Sequence, residues 1–413
     1  WSLVSPQARR VPYPIDKPGT RHHQSTANDG RSRSDNLPGV FTLPMHLGTR
    51  PKSACTAQPA NIEPTRTRGG THMNDRFLRA CRQEPVDATP VWFMRQAGRY
   101  MSSYRTIRER HSLLDICRHP ELATQVTLQP VDAIEVDAAI LFSDLLLPLA
   151  PMGIHFDFVE GEGPVIDVPV RSVQRIDSLL QFDPRESLGH VLDTIRILRA
   201  ELADRVPLIG FAGAPFTLAS YAIEGGPSTN YARTKSLMYE EPEAWHRLAA
   251  RFATVTSDYL ISQIEAGAQA VQLFDSWVGA LSPDDYREFA LPHTSKIFSS
   301  IQHLGVPTLH FGTGTATLLP EMRKAGGDVI GLDWRVPLDN GWENIGEDRA
   351  VQGNLDPTLL LGPEHRMLQA ARDVLRRAKG RPGHIFNLGH GILPMTKLSR
   401  VQTLAHFVHQ QTN

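Results

Sequence analysis

The stretch that decides the fold begins at Leu208-Ile-Gly-Phe211, continues through residues 243–265 and ends at Ala270-Val-Gln-Leu-Phe274. The two ends are short apolar runs, which fit strands buried on both faces of a parallel sheet. The middle places apolar side chains such as Trp245 and Leu248 at helical spacing. The stretch therefore predicts a strand, a helix and a second, parallel strand.

The same alternation recurs along the chain from residue 73 onwards. Eight apolar runs are each followed by turn residues and a helical pattern, and the seventh is the weakest: Val91–Met94, Ala138–Phe142, Leu208–Phe211, Ala270–Phe274, Pro307–Phe311, Val329–Asp333, Ala350–Gly353 and His384–Asn387. Eight βα units favour an α/β fold closed into a (β/α)8 TIM barrel. The alternative is a doubly wound open sheet, which usually carries a phosphate loop after its first strand.

Additional elements are predicted around this repeat. Ser282-Pro-Asp-Asp is a good helix start, and Gly362-Pro-Glu364 opens another helix. Residues 154–170 alternate in polarity around Gly161-Glu-Gly163, which predicts a small β-hairpin inserted after the second barrel strand.

Residues 1–72 differ in composition from the rest of the chain. They contain nine prolines and ten Lys/Arg against four Asp/Glu, whereas residues 73–413 hold 33 Lys/Arg and 40 Asp/Glu. A proline-rich, basic segment with few aliphatic residues buries too little apolar surface to fold, so we expect a disordered leader. A targeting peptide is one interpretation. A non-native or upstream-translated leader, with Met73 as the natural start of a single barrel domain over residues 73–413, is the interpretation we favour.

Several classes of site are disfavoured by what the sequence lacks. No apolar run reaches the length of about 18 residues that spans a bilayer. Cys55, Cys81 and Cys117 have no metal-ligand spacing, and so sparse a set fits a reducing, cytoplasmic compartment. The sequence has neither a nucleophile elbow nor a P-loop, and no lysine immediately follows any of the eight runs.

Catalytic groups in such a barrel lie at the carboxyl ends of the strands. Arg95 and Arg99 follow the first run, and their spacing would place both guanidinium groups on one side of a helical turn, where they could bind separate carboxylates. A solvated pair or internal salt bridges would explain the same two residues.

Asp144 and His390 also follow strands. Asp144 lies between Leu141-Phe142 and Leu145-Leu146, so its carboxylate must be paired or functional. A helix cap, or a buried partner for an arginine, is nearly as good an explanation. His390 lies between two glycines and could be a ligand, an acid or a structural histidine.

Further blocks, taken together, carry a family resemblance. They are Pro90-Val-Trp-Phe-Met-Arg-Gln-Ala-Gly-Arg-Tyr100, Phe142-Ser-Asp144, Pro207-Leu-Ile-Gly-Phe-Ala-Gly-Ala-Pro-Phe-Thr217, Glu224-Gly-Gly226, Gly331-Leu-Asp-Trp334, Gln352-Gly-Asn-Leu-Asp-Pro357 and Asn387-Leu-Gly-His-Gly391. In content and order they resemble the uroporphyrinogen decarboxylase family from Asn74 to the C-terminus. Met101-Ser-Ser-Tyr-Arg105 departs from the usual pattern of the family, and Trp277, beside the expected site, stands where some members have a different residue, such as histidine.

The resemblance implies a homodimeric, cytoplasmic carboxy-lyase without cofactor or metal. It would convert uroporphyrinogen III to coproporphyrinogen III in haem and chlorophyll biosynthesis, with no nucleic acid or membrane partner. Asp144 would be catalytic, accepting hydrogen bonds from the pyrrole N–H groups. The remaining substrate contacts carried over by the resemblance are Arg95, Gln96, Ala97, Gly98, Arg99, Tyr221, Ser276 and His390.

Two other functions remain as alternatives. Methyltransferases of the same barrel superfamily typically use zinc held by His and Cys, yet this chain has no cysteine after Cys117. A non-catalytic tetrapyrrole-binding protein could use the same arginines without turnover, and product analysis separates it from an enzyme.

Overall fold

A parallel sheet forms the centre of the molecule in the computed structural model, which describes residues 74–412. Seven strands pair in the order β1-β4-β5-β6-β7-β8-β9, and all six pairings are parallel. The strands are β1 (Ala139–Ile140), β4 (Leu208–Gly213), β5 (Ala270–Asp275), β6 (Thr308–Gly312), β7 (Val329–Gly331), β8 (Ala350–Gln352) and β9 (His384–Ile385), with β2 (Phe156–Val159) and β3 (Gly163–Ile166) outside this sheet.

The first predicted run closes the sheet into a barrel. Val91 forms a parallel bridge with Phe386, just after β9, and its carbonyl accepts the N–H of Asp137, just before β1. The first strand is therefore reduced to one bridging residue between the two ends of the sheet. All eight runs occupy successive positions around the barrel, so the expected (β/α)8 TIM barrel is confirmed.

Helices cover the outside of the sheet. Their bounds are α1 (Arg76–Cys81), α2 (Ser102–Arg108), α3 (Leu113–Arg118), α4 (Pro120–Ile134), α5 (Val173–Asp177), α6 (Pro184–Ser187), α7 (Gly189–Leu202), α8 (Pro215–Glu224), α9 (Ala232–Glu240), α10 (Pro242–Ala266), α11 (Pro283–Asp285), α12 (Leu291–Ile301), α13 (Leu319–Ala325), α14 (Leu338–Ile345), α15 (Glu364–Ala378) and α16 (Leu398–Thr412). The helix predicted over residues 243–265 is α10. The Ser282 hydroxyl caps α11 as expected, accepting the N–H of Asp285.

The predicted β-hairpin is also present. Strands β2 and β3 pair antiparallel from Phe156 opposite Ile166 to Val159 opposite Gly163. Gly161 and Gly163 both have positive φ, 84° and 87°, which allows the tight turn between the strands. The hairpin follows β1, the second barrel strand, and its tip reaches the functional cavity described below.

The apolar core has two parts. Side chains such as Trp92, Ile209 and Leu309 fill the barrel interior, while a larger cluster packs the helices against the outside of the sheet. A packed interior leaves no channel through the barrel, so a binding site has to lie at one end.

One local prediction is wrong. The segment from Arg95 to Arg99 is a series of turns, and Arg95 has a left-handed backbone with φ 59°. The two arginines therefore do not share one side of a helical turn. The predicted leader over residues 1–72 lies outside the described residues. Over residues 74–412, every helix is too short or too polar to cross a bilayer.

Candidate active site

A cavity of about 700 Å³ opens at the carboxyl ends of the strands. Eight of the nine predicted site residues line it: Arg95, Gln96, Ala97, Gly98, Arg99, Asp144, Ser276 and His390. The ninth, Tyr221, lines a narrow adjoining gap, which Asp144 also borders. The structure therefore brings eight of the nine residues together around one cavity and places Tyr221 in a gap beside it.

Asp144 lies at the cavity with few internal partners. Its side chain is only 3% exposed, and within residues 74–412 its one side-chain hydrogen bond comes from the N–H of Leu146, at 2.9 Å. Burial raises the pKa of the Asp144 carboxyl, an effect that this hydrogen bond and the charge of Arg95 partly oppose. An under-satisfied carboxyl facing a cavity is available to a ligand that donates hydrogen bonds.

Arg95 is held against the glycine that follows His390. A Cβ atom added to Gly391 would lie 2.6 Å from Cγ of Arg95, so the arginine side chain runs across the glycine backbone. Burial lowers the pKa of Arg95 to about 10, with a further contribution from the nearby charge of Arg99, and the guanidinium remains charged at neutral pH.

The other cationic groups lie nearer the solvent. Arg99 is exposed, and two arginines of α2 that the sequence analysis missed also line the cavity. We call the four residues Arg95, Arg99, Arg105 and Arg108 the cavity arginines. None of them forms an ion pair with a carboxylate of residues 74–412, although Glu109 and Glu160 also line the cavity. Four guanidinium groups without carboxylate partners suit a polyanionic ligand.

Tyr221 belongs to an aromatic and polar cluster behind the cavity. It is 5% exposed and packs against Trp277, with 3.8 Å between the ring centroids and 32° between the ring planes. The Thr217 hydroxyl, one turn earlier on α8, donates to the Asp275 carboxylate at 2.9 Å and accepts the N–H of Trp277 at 3.3 Å. Burial raises the pKa of Asp275 to about 7. This cluster ties α8 to the end of β5, where Ser276 lies.

His390 is neutral in this environment. Burial lowers its pKa to about 3, helped by the charges of Arg95 and Arg335. Its Nδ1 accepts the N–H of Gly391 at 2.7 Å, so the neutral ring carries its proton on Nε2. His390 can therefore act as a hydrogen-bond donor, but it is not a cation at neutral pH.

Three phenylalanines form an apolar wall of the cavity. Phe211 and Phe274 meet edge to face at 5.5 Å, and Phe274 meets Phe311 at 6.0 Å. The apolar pattern predicts these three residues as strand interior, because the pattern alone does not show that the last side chain of a barrel strand meets a cavity. Among residues 74–412, no three His, Cys, Asp or Glu side chains are grouped as metal ligands.

Fold and site together define a class of protein. It is a (β/α)8 barrel whose cavity, at the carboxyl ends of the strands, combines a buried carboxyl group, an aromatic wall and arginines that form no ion pair within residues 74–412. Such a cavity matches an organic molecule that is apolar in the middle, carries several acid groups at its edge and presents N–H donors.

Comparison with known proteins places the chain more narrowly. The family model described as uroporphyrinogen decarboxylase matches residues 72–411. The chain is 58% identical over 337 residues to uroporphyrinogen decarboxylase of Sorangium cellulosum, covering 82% of this chain and 96% of that protein. It is 55% identical over 338 residues to the uroporphyrinogen decarboxylase of Carboxydothermus hydrogenoformans, and the match covers 82% of this chain and 97% of that protein. The chain belongs to the uroporphyrinogen decarboxylase family.

A solved structure shares the fold at low sequence identity. A methyltransferase from Methanosarcina mazei superposes with a TM-score of 0.70 at 20% identity, covering 82% of this chain and 99% of that one. At this identity the likeness supports the barrel fold alone.

Proposed function

We propose that the protein removes CO2 from the four acetate side chains of uroporphyrinogen III and releases coproporphyrinogen III. Membership of the decarboxylase family supports this activity. The structural observation that carries it is the meeting, in one cavity, of the Asp144 carboxyl group with the cavity arginines.

Binding follows from the charges of the two molecules. The substrate carries carboxylates around an apolar macrocycle, and the cavity arginines offer charge-assisted, bidentate hydrogen bonds to them. The phenylalanine wall covers the pyrrole faces. Because residues 73–413 carry a net excess of acids, binding must depend on this local group of cations and not on overall charge.

The chemistry uses each pyrrole as its own electron sink. A proton adds to the ring carbon beside the acetate arm and creates a delocalised pyrrolium cation. The bond between the acetate methylene and its carboxylate then breaks, CO2 leaves, and the electron pair enters the ring. The resulting exocyclic methylene takes up a proton to become a methyl group, and the ring carbon returns the first proton.

The role we assign to Asp144 is to stabilise the positive charge of that intermediate. A preorganised carboxylate in a water-poor cavity stabilises a developing cation strongly. Burial raises the pKa of this carboxyl group. Hydrogen bonds from the pyrrole N–H groups favour the ionised form, so substrate binding brings the carboxyl into its active charge state.

The remaining residues orient the macrocycle. Arg95 has a pKa of about 10 and is therefore a poor proton donor at neutral pH, so we assign it carboxylate binding. His390 offers its Nε2 proton as a hydrogen bond. Tyr221 and Ser276 complete the contacts on the β5 side of the cavity.

We further propose a cytoplasmic homodimer that works without a cofactor and binds no nucleic acid, built from a barrel domain over residues 73–413. The family resemblance supports the dimer and the absence of a cofactor. Buried, unpaired Cys81 and Cys117 are consistent with a reducing compartment. Full activity after exhaustive dialysis against a chelator would support cofactor independence, and sedimentation equilibrium tests the dimer.

The activity is tested by incubating the protein with anaerobically prepared uroporphyrinogen III and separating the products by chromatography. We expect seven-, six- and five-carboxylate intermediates followed by the four-carboxylate product. Arg99→Ala should raise KM, while Arg366→Ala should not, since Arg366 is also an exposed arginine, lies on α15, does not line the cavity and forms no ion pair within residues 74–412. Binding of the substrate without loss of any carboxylate would refute the proposed activity.

A further inference from the structure

We propose that Gln96 and Asn387 are positioning residues, whose side-chain amides hold the arginine loop (residues 94–99) in place of strand pairing. The inference rests on the proposed function, because the loop carries two of the cavity arginines. It assigns Gln96 a task different from the substrate contact expected from the sequence.

The first barrel strand is too short to position this loop through its backbone. Only Val91 pairs in the sheet, and the N–H of Trp92 reaches the carbonyl of Phe386 at a long 3.4 Å. The loop begins three residues after Val91, and the carbonyl of its first residue, Met94, accepts the N–H of Ile392 at 3.0 Å. From Arg95 to Arg99 the backbone forms no hydrogen bond to the backbone of a neighbouring strand within residues 74–412. Arg95 additionally has a left-handed backbone, a conformation that surrounding contacts must maintain.

Gln96 bridges the loop to the second barrel strand. Its side chain is 1% exposed, and Oε1 accepts the N–H of Phe93 at 3.2 Å while Nε2 donates to the carbonyl of Ala138 at 3.1 Å. The carboxamide thus lies between the N–H of Phe93 and the carbonyl of Ala138. It links these two backbone groups by hydrogen bonds, as a peptide group of an intervening strand would. Its own backbone carbonyl accepts the hydroxyl of Tyr100 at 2.5 Å, which ties down the far side of the turn.

Asn387 performs the equivalent task on the side of the last strand. Its side chain is fully buried, and Oδ1 accepts the N–H of Met94 at 3.1 Å and that of Leu388 at 2.8 Å. Two buried amides therefore attach the loop to both neighbouring strands. Their hydrogen bonds set where the guanidinium groups of Arg95 and Arg99 can reach.

The test compares two glutamines with the same burial and different connections. Gln96→Leu removes the bridge to the loop. Gln352→Leu is the matched control, since Gln352 is also 1% exposed and accepts from the first strand, through Nε1 of Trp92 at 2.8 Å, but does so inside the barrel. Both variants lose buried hydrogen bonds and should lower Tm to a similar extent.

Of these two variants, Gln96→Leu should weaken ligand binding and Gln352→Leu should not. We expect the KM of Gln96→Leu for uroporphyrinogen to rise about tenfold or more with a smaller change in kcat, because misplaced arginines lose binding in the ground state and transition state alike. Asn387→Leu, which removes the Oδ1 acceptor for the N–H of Met94, should raise KM in the same direction. A KM for Gln96→Leu equal to that of Gln352→Leu would overturn the inference.

A second measurement separates this inference from the proposed activity. The dissociation constant for uroporphyrin, followed by fluorescence, needs no turnover. Weaker uroporphyrin binding by Gln96→Leu than by Gln352→Leu supports the positioning role, whether or not the wild-type protein releases CO2. Failure of the wild-type protein to release CO2 would refute the proposed activity but not the positioning role. Equal uroporphyrin binding by the two variants counts against the positioning role.

Discussion

Two buried aspartates lie at opposite ends of the same barrel strand, and they have opposite environments. Asp137, just before β1, accepts four hydrogen bonds from Val91 N–H, Arg76, Asn74 and His409, at 2.7 to 2.9 Å. Asp144, just after β1, accepts through its side chain one hydrogen bond from the described residues 74–412. Their exposed fractions are nearly equal, 1% and 3%, so burial alone does not distinguish them.

The difference appears in the ionisation of the two groups. Burial opposes ionisation of Asp137, but the hydrogen bond and charge of His409 and the bonds from Asn74 and Val91 outweigh it, so its pKa is lowered. For Asp144 burial prevails and the pKa is raised. A carboxylate saturated by protein donors stabilises the fold, whereas one left facing a cavity is available to a ligand.

The largest expected effect separates the two aspartates by activity. Asp144→Asn keeps the shape but removes the charge, and kcat for uroporphyrinogen should fall at least about 100-fold, the scale of losing one electrostatic stabiliser. Its free energy of unfolding, measured in urea, should stay unchanged or increase, because a poorly solvated carboxyl has been removed. Near-normal coproporphyrinogen production would contradict the role assigned to Asp144.

Substitution of Asp137 should lower the free energy of unfolding and leave the catalytic activity unchanged. Asp137→Asn weakens charge-assisted bonds to Arg76 and His409, and the free energy of unfolding should drop by about 1.5–3 kcal/mol. Turnover per folded molecule should remain close to wild type, since Asp137 does not line the cavity. If this variant lost turnover as severely as Asp144→Asn, the contrast between the two aspartates would be wrong.

The pH dependence of stability should differ in sign between the same two variants. The lowered pKa of Asp137 stabilises the fold above the unfolded carboxyl pKa of about 3.9. The deficit of Asp137→Asn should therefore be full at neutral pH and should disappear as pH falls through the folded pKa of Asp137.

The raised pKa of Asp144 has the opposite consequence. Wild type should lose stability relative to Asp144→Asn as pH rises above the unfolded carboxyl pKa. Urea unfolding of wild type and both variants at a series of pH values measures the two trends. Parallel trends for the two variants would show that their environments do not differ as described.

The smallest expected effect concerns Arg95, whose charge acts on the Asp144 carboxyl group. Gly391→Ala should push Arg95 aside and raise KM about fivefold, since an overpacked contact costs at least about 1 kcal/mol. Gly362→Ala is a suitable control, because its added Cβ meets nothing closer than 3.6 Å and its φ of −87° suits alanine. An unchanged KM for Gly391→Ala would show that the contact with Gly391 does not set the position of Arg95.

Prediction from sequence succeeded where the pattern was long. Every apolar run became a barrel position, and the helix expected over residues 243–265 forms as Pro242–Ala266. The arginine loop was predicted wrongly, because the four-residue spacing of Arg95 and Arg99 resembles a helix and nothing nearby indicates positive φ. Arg105 and Arg108 were missed, since only the path of α2 back over the barrel mouth brings them to the cavity.

The amino-acid sequence by itself determined the barrel, because hydrophobic periodicity and turn residues are local properties of the chain. It also determined the family, since the blocks around the strand ends are distinctive in composition and order. Only the tertiary structure decided which buried aspartate has its hydrogen-bond acceptors filled by protein donors and which faces the cavity. It also decided which side-chain amides hold the arginine loop. Those roles depend on donors as far away in sequence as His409, which folding alone brings within hydrogen-bond distance of Asp137.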